Sequence, residues 1–211
     1  MNRLIAILTV FLGITVLNMA YVHAEVVEGR DYEVLKNPQP TQNSDLIEVI
    51  EFFWYGCPHC YTVHPHVKTW LINKPDDVDF RYVPAIFRDN WVPGAKIFYS
   101  IETLGMMETL HDKIYDAIHR DKVNLSDESV LFNWIEKQGV DKEKFVKVYN
   151  SFTTQNQIAR SNQMMRQYQL AGVPAFVIEG KYLTTGRKGG TPQNTMRIVS
   201  EIIDMIRSAK E

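Results

Sequence analysis

The spacing of apolar positions along the chain predicts strands and helices in alternation. Residues 31–35 read as a short strand closed by the turn residues Asn37, Pro38 and Pro40. Residues 47–55 are β-branched or aromatic except at Glu48 and Glu51, the pattern of a central strand covered on both faces. Gly56 ends that run. A helix follows from Pro58 to Trp70 and Leu71, with proline in the first turn, where its missing N–H costs nothing, and a kink expected at Pro65. Residues 78–87 read as a second strand, with Pro84 marking its end or an edge position.

Beyond Pro93 the period changes. Residues 95–104, 106–118, 128–137, 143–149 and 155–168 all carry helical spacing. Ser126 and Asp141 are the expected N-caps, with Asp127, Glu128 and Glu143 in first turns, and Gly139 is an expected helix end. Residues 175–179 and 182–185, joined by Gly180-Lys181, read as a β-hairpin. Thr191-Pro192 opens a last helix with an apolar seam at Met196, Val199, Ile203 and Ile206. The order predicts an α/β sheet flanked by helices, built from residues 25–90 and 171–211, with an all-helical insertion over 91–170.

Composition narrows the function classes. The chain has 211 residues, 45% hydrophobic and 23% charged, with a net charge of −2. These values exclude a disordered, collagen-like or coiled-coil chain and give no electrostatic reason to expect nucleic acid. Residues 1–24 carry Arg3, an apolar run from Leu4 to Met19, and the small residues Val22 and Ala24 at −3 and −1, the pattern of a cleaved secretory signal. A retained membrane anchor is the alternative, opposed by Asn18 within the run and by the lack of a basic stop after it. Cleavage after Ala24 leaves a soluble protein starting at Glu25 in an oxidising, exported compartment.

Both cysteines fall in one motif, Cys57-Pro58-His59-Cys60. The thiolate is the reactive form of cysteine. Cys57 stands where a strand gives way to a helix, facing unpaired N–H groups and the positive end of the helix dipole, with His59 alongside. Cys60 lies one turn deeper, positioned to close a disulfide and to be shielded by packing. A purely structural bridge here would staple only a very short loop. A zinc site from Cys57, Cys60, His64 and His66 would crowd its ligands around one helix. Haem attachment requires histidine after the second cysteine, where Tyr61 stands.

The stretch from Glu51 to Cys60 (EFFWYGCPHC) resembles the active-site segment of the DsbA family, the periplasmic thiol oxidases of Gram-negative bacteria. The stretch from Gly172 to Phe176 (GVPAF) resembles that family's second active-site segment, in which the proline is cis. The resemblance covers essentially the whole mature chain. It implies a thioredoxin-like fold with the helical domain inserted, and oxidation of cysteine pairs in exported proteins. Cys57 is then the attacked sulfur, Cys60 its buried partner, and Pro58 and His59 the dipeptide that tunes the redox poise. Val173 and Pro174 form the loop facing the disulfide, with the Val173 backbone free to pair with a substrate strand. Glu51 becomes an acid beneath the disulfide that assists proton movement at Cys60, with Arg81 as a potential partner; a surface-facing acid is the other reading. The implied partners are reduced exported proteins and a quinone-linked inner-membrane reoxidant of the DsbB type. No metal or organic cofactor is implied, and a monomer is expected.

The chain departs from the family where an acidic residue often follows the second cysteine; His64 and Pro65 stand there instead. His64, His66, His111 and His119 read as surface or helix-face residues, and Met106-Met107 and Met164-Met165 as packing. Trp54, Tyr55 and Trp91 could line an apolar peptide groove, or Trp54 could belong to the core. The rival functions are a disulfide isomerase or reductase on the same fold, and a chaperone-like binding module with incidental cysteines.

Overall fold

The computed structural model describes residues 25–209; the cleavable leader expected over residues 1–24 lies outside the described residues. Five strands, β1 (Glu33–Val34), β2 (Ile47–Phe53), β3 (Val78–Pro84), β4 (Ala175–Ile178) and β5 (Tyr182–Thr185), form one sheet in the order β1-β5-β4-β2-β3. Only β2 and β3 run parallel. Every residue of β2 is buried, which accounts for its nearly unbroken apolar sequence. β3 lies at the sheet edge and closes on Pro84, so the proline is tolerated on both counts expected of it.

Side-chain alternation along β2 divides the core. Val49 packs with α1 (Pro58–Ile72) and α8 (Pro192–Ser208), meeting Val63, Val67, Val199 and Ile203. α1 runs unbroken through Pro65. The anticipated seam of α8 is buried at all four positions. Ile50 and Phe52 point to the other face, against Met165 and Tyr168. Between β3 and β4 come α2 (Val92–Thr103), α3 (Met107–His119), α4 (Glu128–Lys137), α5 (Lys142–Tyr149) and α6 (Phe152–Gln167). Their shared core, including Phe98, Ile114 and Phe145, continues into Phe53 and both cysteines.

Several local expectations shift by a residue. Asp127, not Ser126, caps α4, its carboxylate accepting from the N–H groups of Ser129 and Val130; the carboxylate accepts more strongly than a hydroxyl. Asp141 caps α5 as expected. The hairpin turn centres on Glu179 and Gly180, both at positive φ, rather than on Gly180-Lys181. A Cβ on Gly180 would stand 2.0 Å from the Gln39 carbonyl oxygen, so no other residue fits there. The single helical turn α7 (Gly186–Gly189) is too short to leave a periodic signal.

Candidate active site

β2 ends at Phe53, and the chain turns through Trp54, Tyr55 and Gly56 before α1 begins. The indole of Trp54 folds over the turn so closely that a Cβ on Gly56 would stand 2.3 Å from the ring. The N–H of Cys57 donates to the Trp54 carbonyl at 2.9 Å. Cys57 is the N-cap of α1, with extended backbone and Pro58 in the first turn. Its Sγ accepts from the N–H of Cys60 at 3.4 Å, the role a serine or aspartate oxygen plays at other helix starts.

Both cysteines are free thiols, and their surroundings differ sharply. Cys57 keeps 8% exposure and Cys60 none. A hydrogen bond from the Cys60 thiol, helped by the backbone N–H groups of Cys60 and His59 and by the His59 charge, holds the Cys57 thiol down at about 6 against the cost of burial. Burial pushes Cys60 well above the usual thiol range, and its hydrogen bond to Cys57 adds to the shift. The helix start and His59 were legible as causes; the dominant contribution of Cys60 was not. Pro58 and His59 are exposed beside the reactive sulfur.

The second segment closes over this centre. The Val173–Pro174 peptide is cis, and the Cys57 thiol lies 3.7 Å from the Val173 carbonyl oxygen. The Pro174 carbonyl accepts from the N–H of Gly186 at 3.1 Å, tying the loop to the start of α7. A groove of about 800 Å³ opens here, lined by His59, Val63, Gly172, Pro174, Leu183 and Arg187 among others.

Glu51 is 1% exposed, which removes the surface-facing reading. Its Oε2 has no hydrogen-bond partner among the described residues. Burial, reinforced by the charge on Cys57, raises its carboxyl to about 8. The anticipated pairing with Arg81 does not occur. Arg81 stands beside Ile50 in the β2–β3 register, whereas Glu51 stands beside Tyr82. Arg81 therefore shares a face with Glu48 and binds it at 3.1 Å.

The histidines and aromatics bring further corrections. His64 and His111 are buried, not superficial. His64 bonds Asp112 at 2.8 Å and packs edge-on to His111. Nδ1 of His111 bonds the Tyr55 hydroxyl at 2.6 Å, and burial lowers its imidazole to about 3. Among the described residues no cluster able to hold a metal forms, so Cys57, Cys60, His64 and His66 do not assemble as zinc ligands. Tyr55 is core, and Trp54 stacks flat on Trp91 at 4.1 Å; neither lines the groove, which lies on the Pro174 side. The α3 residues that surround Tyr55 were missed, although His111, Tyr115 and His119 recur at intervals of four, a legible helical stripe.

A family model described as a DSBA-like thioredoxin domain matches residues 77–196. The thiol:disulfide interchange protein DsbA of Burkholderia cepacia is 35% identical over 211 residues, covering 100% of both chains. That of Azotobacter vinelandii is 36% identical over 187 residues, covering 89% of this chain and 87% of the relative. The crystal structure of Pseudomonas aeruginosa DsbA is similar with a TM-score of 0.82 at 35% identity, covering 86% of this chain and 95% of that one. A thioredoxin-like sheet with helices inserted before the cis-proline strand, and relatives of matching length on both measures, together mean that this chain belongs to the DsbA family of thiol:disulfide oxidoreductases.

Proposed function

We propose that the protein is a periplasmic dithiol oxidase that passes a Cys57–Cys60 disulfide to cysteine pairs of exported proteins. The asymmetry of the two sulfurs carries this reading: Cys57 is partly accessible and held at about 6, while Cys60 is sealed and pushed up. A substrate thiolate attacks Sγ of Cys57 and displaces Cys60. Glu51, neutral at pH 7 when its carboxyl titrates near 8, supplies the proton that Cys60 takes up. The second substrate thiolate then attacks the substrate's own sulfur in the mixed disulfide and expels Cys57. A thiol that ionises easily leaves easily. One S–S bond is broken and one formed; two electrons pass from substrate to enzyme.

Val173 offers its backbone to an extended substrate segment, and Pro174 shapes the loop beside the sulfur. Pro58 and His59 set the poise. Residues 25–90 and 171–211 act as the redox domain and 91–170 as a helical cover. Reoxidation requires an electron acceptor, for which a quinone-linked inner-membrane protein of the DsbB type is the family precedent. Among the described residues no helix is long and apolar enough to cross a membrane; export through the leader expected over residues 1–24 would deliver the chain to the periplasm.

The test compares two substrates. Rapid oxidation of a reduced protein by the disulfide form, with little acceleration of a scrambled one by the dithiol form, supports an oxidase. The opposite ranking identifies an isomerase. Activity towards neither leaves a binding module.

A further inference from the structure

We propose that His119, reaching from the inserted helix α3, is a positioning residue of the Cys57–Cys60 centre: it fixes the Tyr55 carbonyl and, through it, the turn that mounts Cys57 at the start of α1. Nε2 of His119 lies 2.7 Å from the Tyr55 carbonyl oxygen. A carbonyl can only accept, so His119 donates and carries its proton on Nε2. The other end of Tyr55 is held from the same helix, by His111 at 2.6 Å. One residue of the turn is thus gripped at backbone and side chain by groups two helical turns apart. Trp54, its neighbour, accepts the N–H of Cys57.

α3 is itself fixed against α1. The ring of His119 stacks on Tyr61 at 4.6 Å and 10°, and Tyr61 follows Cys60 in the chain. The Tyr61 hydroxyl donates to Asp116 at 3.0 Å, and Asp112 binds both His64 and Lys68. The inserted helix therefore spans the turn before Cys57 and the helix after it. The Cys57 thiolate depends first on the hydrogen bond from the Cys60 thiol and then on the N–H groups of Cys60 and His59, all from the first turn of α1, and such bonds weaken steeply with misalignment. His119 is only half-buried, so water can replace its bond to the Tyr55 carbonyl. Losing it costs orientation more than stability.

The proposal rests on Cys57 being the reactive sulfur, and its test does not use a protein substrate. The purified protein, His119→Ala and His119→Gln are equilibrated with glutathione, and the Cys57 thiolate is titrated by ultraviolet absorbance. His119→Ala is expected to raise the Cys57 pKa and make the disulfide less oxidising by roughly threefold or more. His119→Gln, whose amide N–H reaches the same carbonyl, is expected to restore most of both. An unshifted equilibrium and titration in His119→Ala overturns the proposal, whatever its urea midpoint. So does a shift that glutamine fails to rescue, because the hydrogen bond is then not what matters. Weak oxidising power in the unsubstituted protein would instead count against the oxidase reading.

Discussion

The carboxyl of Glu51 and the guanidinium of Arg81 lie on opposite faces of the sheet, although β2 and β3 are neighbours. Arg81 instead serves Glu48, which is 2% exposed, on the face packed by Met164 and Tyr168. Breaking a buried pair by deleting one partner leaves an uncompensated charge, at a cost of about 3–5 kcal/mol. Arg81→Met is expected to destabilise the protein by roughly the lower end of that range. The double variant Glu48→Met/Arg81→Met should recover most of the loss, since apolar neighbours already surround the site. Urea midpoints of the two variants decide it: equal losses would mean that the ion pair is not what Arg81 supplies. Oxidation of substrates should be unaffected in the double variant.

Glu51 faces the other way, towards the cysteines, with no cation among the described residues to hold its charge. Its folded-state carboxyl is raised to about 8. A raised pKa contributes stability that is complete below the unfolded value of about 4.3 and is lost as pH rises through 8. Glu51→Gln removes that loss. The variant should therefore gain on the parent protein between pH 5 and 8, by up to about 1.4 kcal/mol per pH unit. It can no longer supply the proton that Cys60 takes up, so formation of the mixed disulfide should slow by roughly tenfold or more, and the inflection near pH 8 should vanish from its single-turnover profile. Identical rates across pH would make Glu51 a bystander.

What the sequence disclosed and what it hid separate along physical lines. The largely apolar run of β2, the proline in the first turn of α1, the Asp141 cap and the seam of α8 are local signals, and each maps onto its element. The Arg81 partner depends on strand register, where a slip of one residue moves a side chain to the other face. The burial of His64 and His111 depends on α3 lying against α1, a tertiary contact that helical period alone does not reveal. Trp54 could be assigned to neither groove nor core from sequence, because its indole lies over a glycine two residues away and against Trp91.

Replacing either sulfur should give opposite results. Cys57→Ser removes the more accessible of the two cysteine sulfurs and is expected to abolish turnover and trapping alike. Cys60→Ser cannot form the internal disulfide, but its Cys57 thiolate still attacks disulfides of oxidised substrates, expelling one substrate thiolate; without Cys60 to expel the other, the mixed disulfides should accumulate. Non-reducing electrophoresis followed by mass spectrometry identifies the trapped adducts. Trapping by Cys57→Ser instead would reverse the assignment of the two cysteines.

The dithiol form is expected to overtake the disulfide form in stability as pH rises through the neutral range. Cys57 titrates at about 6 in the folded dithiol, against about 8.5 unfolded. A depressed folded pKa contributes stability that is complete above the unfolded value and is lost as pH falls through 6. At pH 7 that contribution is about 1.4 kcal/mol, and by pH 8.5 it reaches about 3 kcal/mol. The bridge opposes it by restricting the unfolded chain, which for so short a loop is worth about 2 kcal/mol. Burial keeps Cys60 protonated in the folded dithiol, while the unfolded thiol begins to ionise towards about 8.5, which takes back only about 0.4 kcal/mol at the top of this window. The crossing should therefore fall between about pH 7 and 8.5. Each 1.4 kcal/mol by which the folded dithiol gains makes the disulfide a stronger oxidant by about 30 mV. Urea unfolding of both redox forms at several pH values measures the crossing directly. A disulfide form that stays more stable up to pH 8.5 would mean that the Cys57 thiolate is not stabilised by the start of α1, and would favour a reductase or a structural bridge.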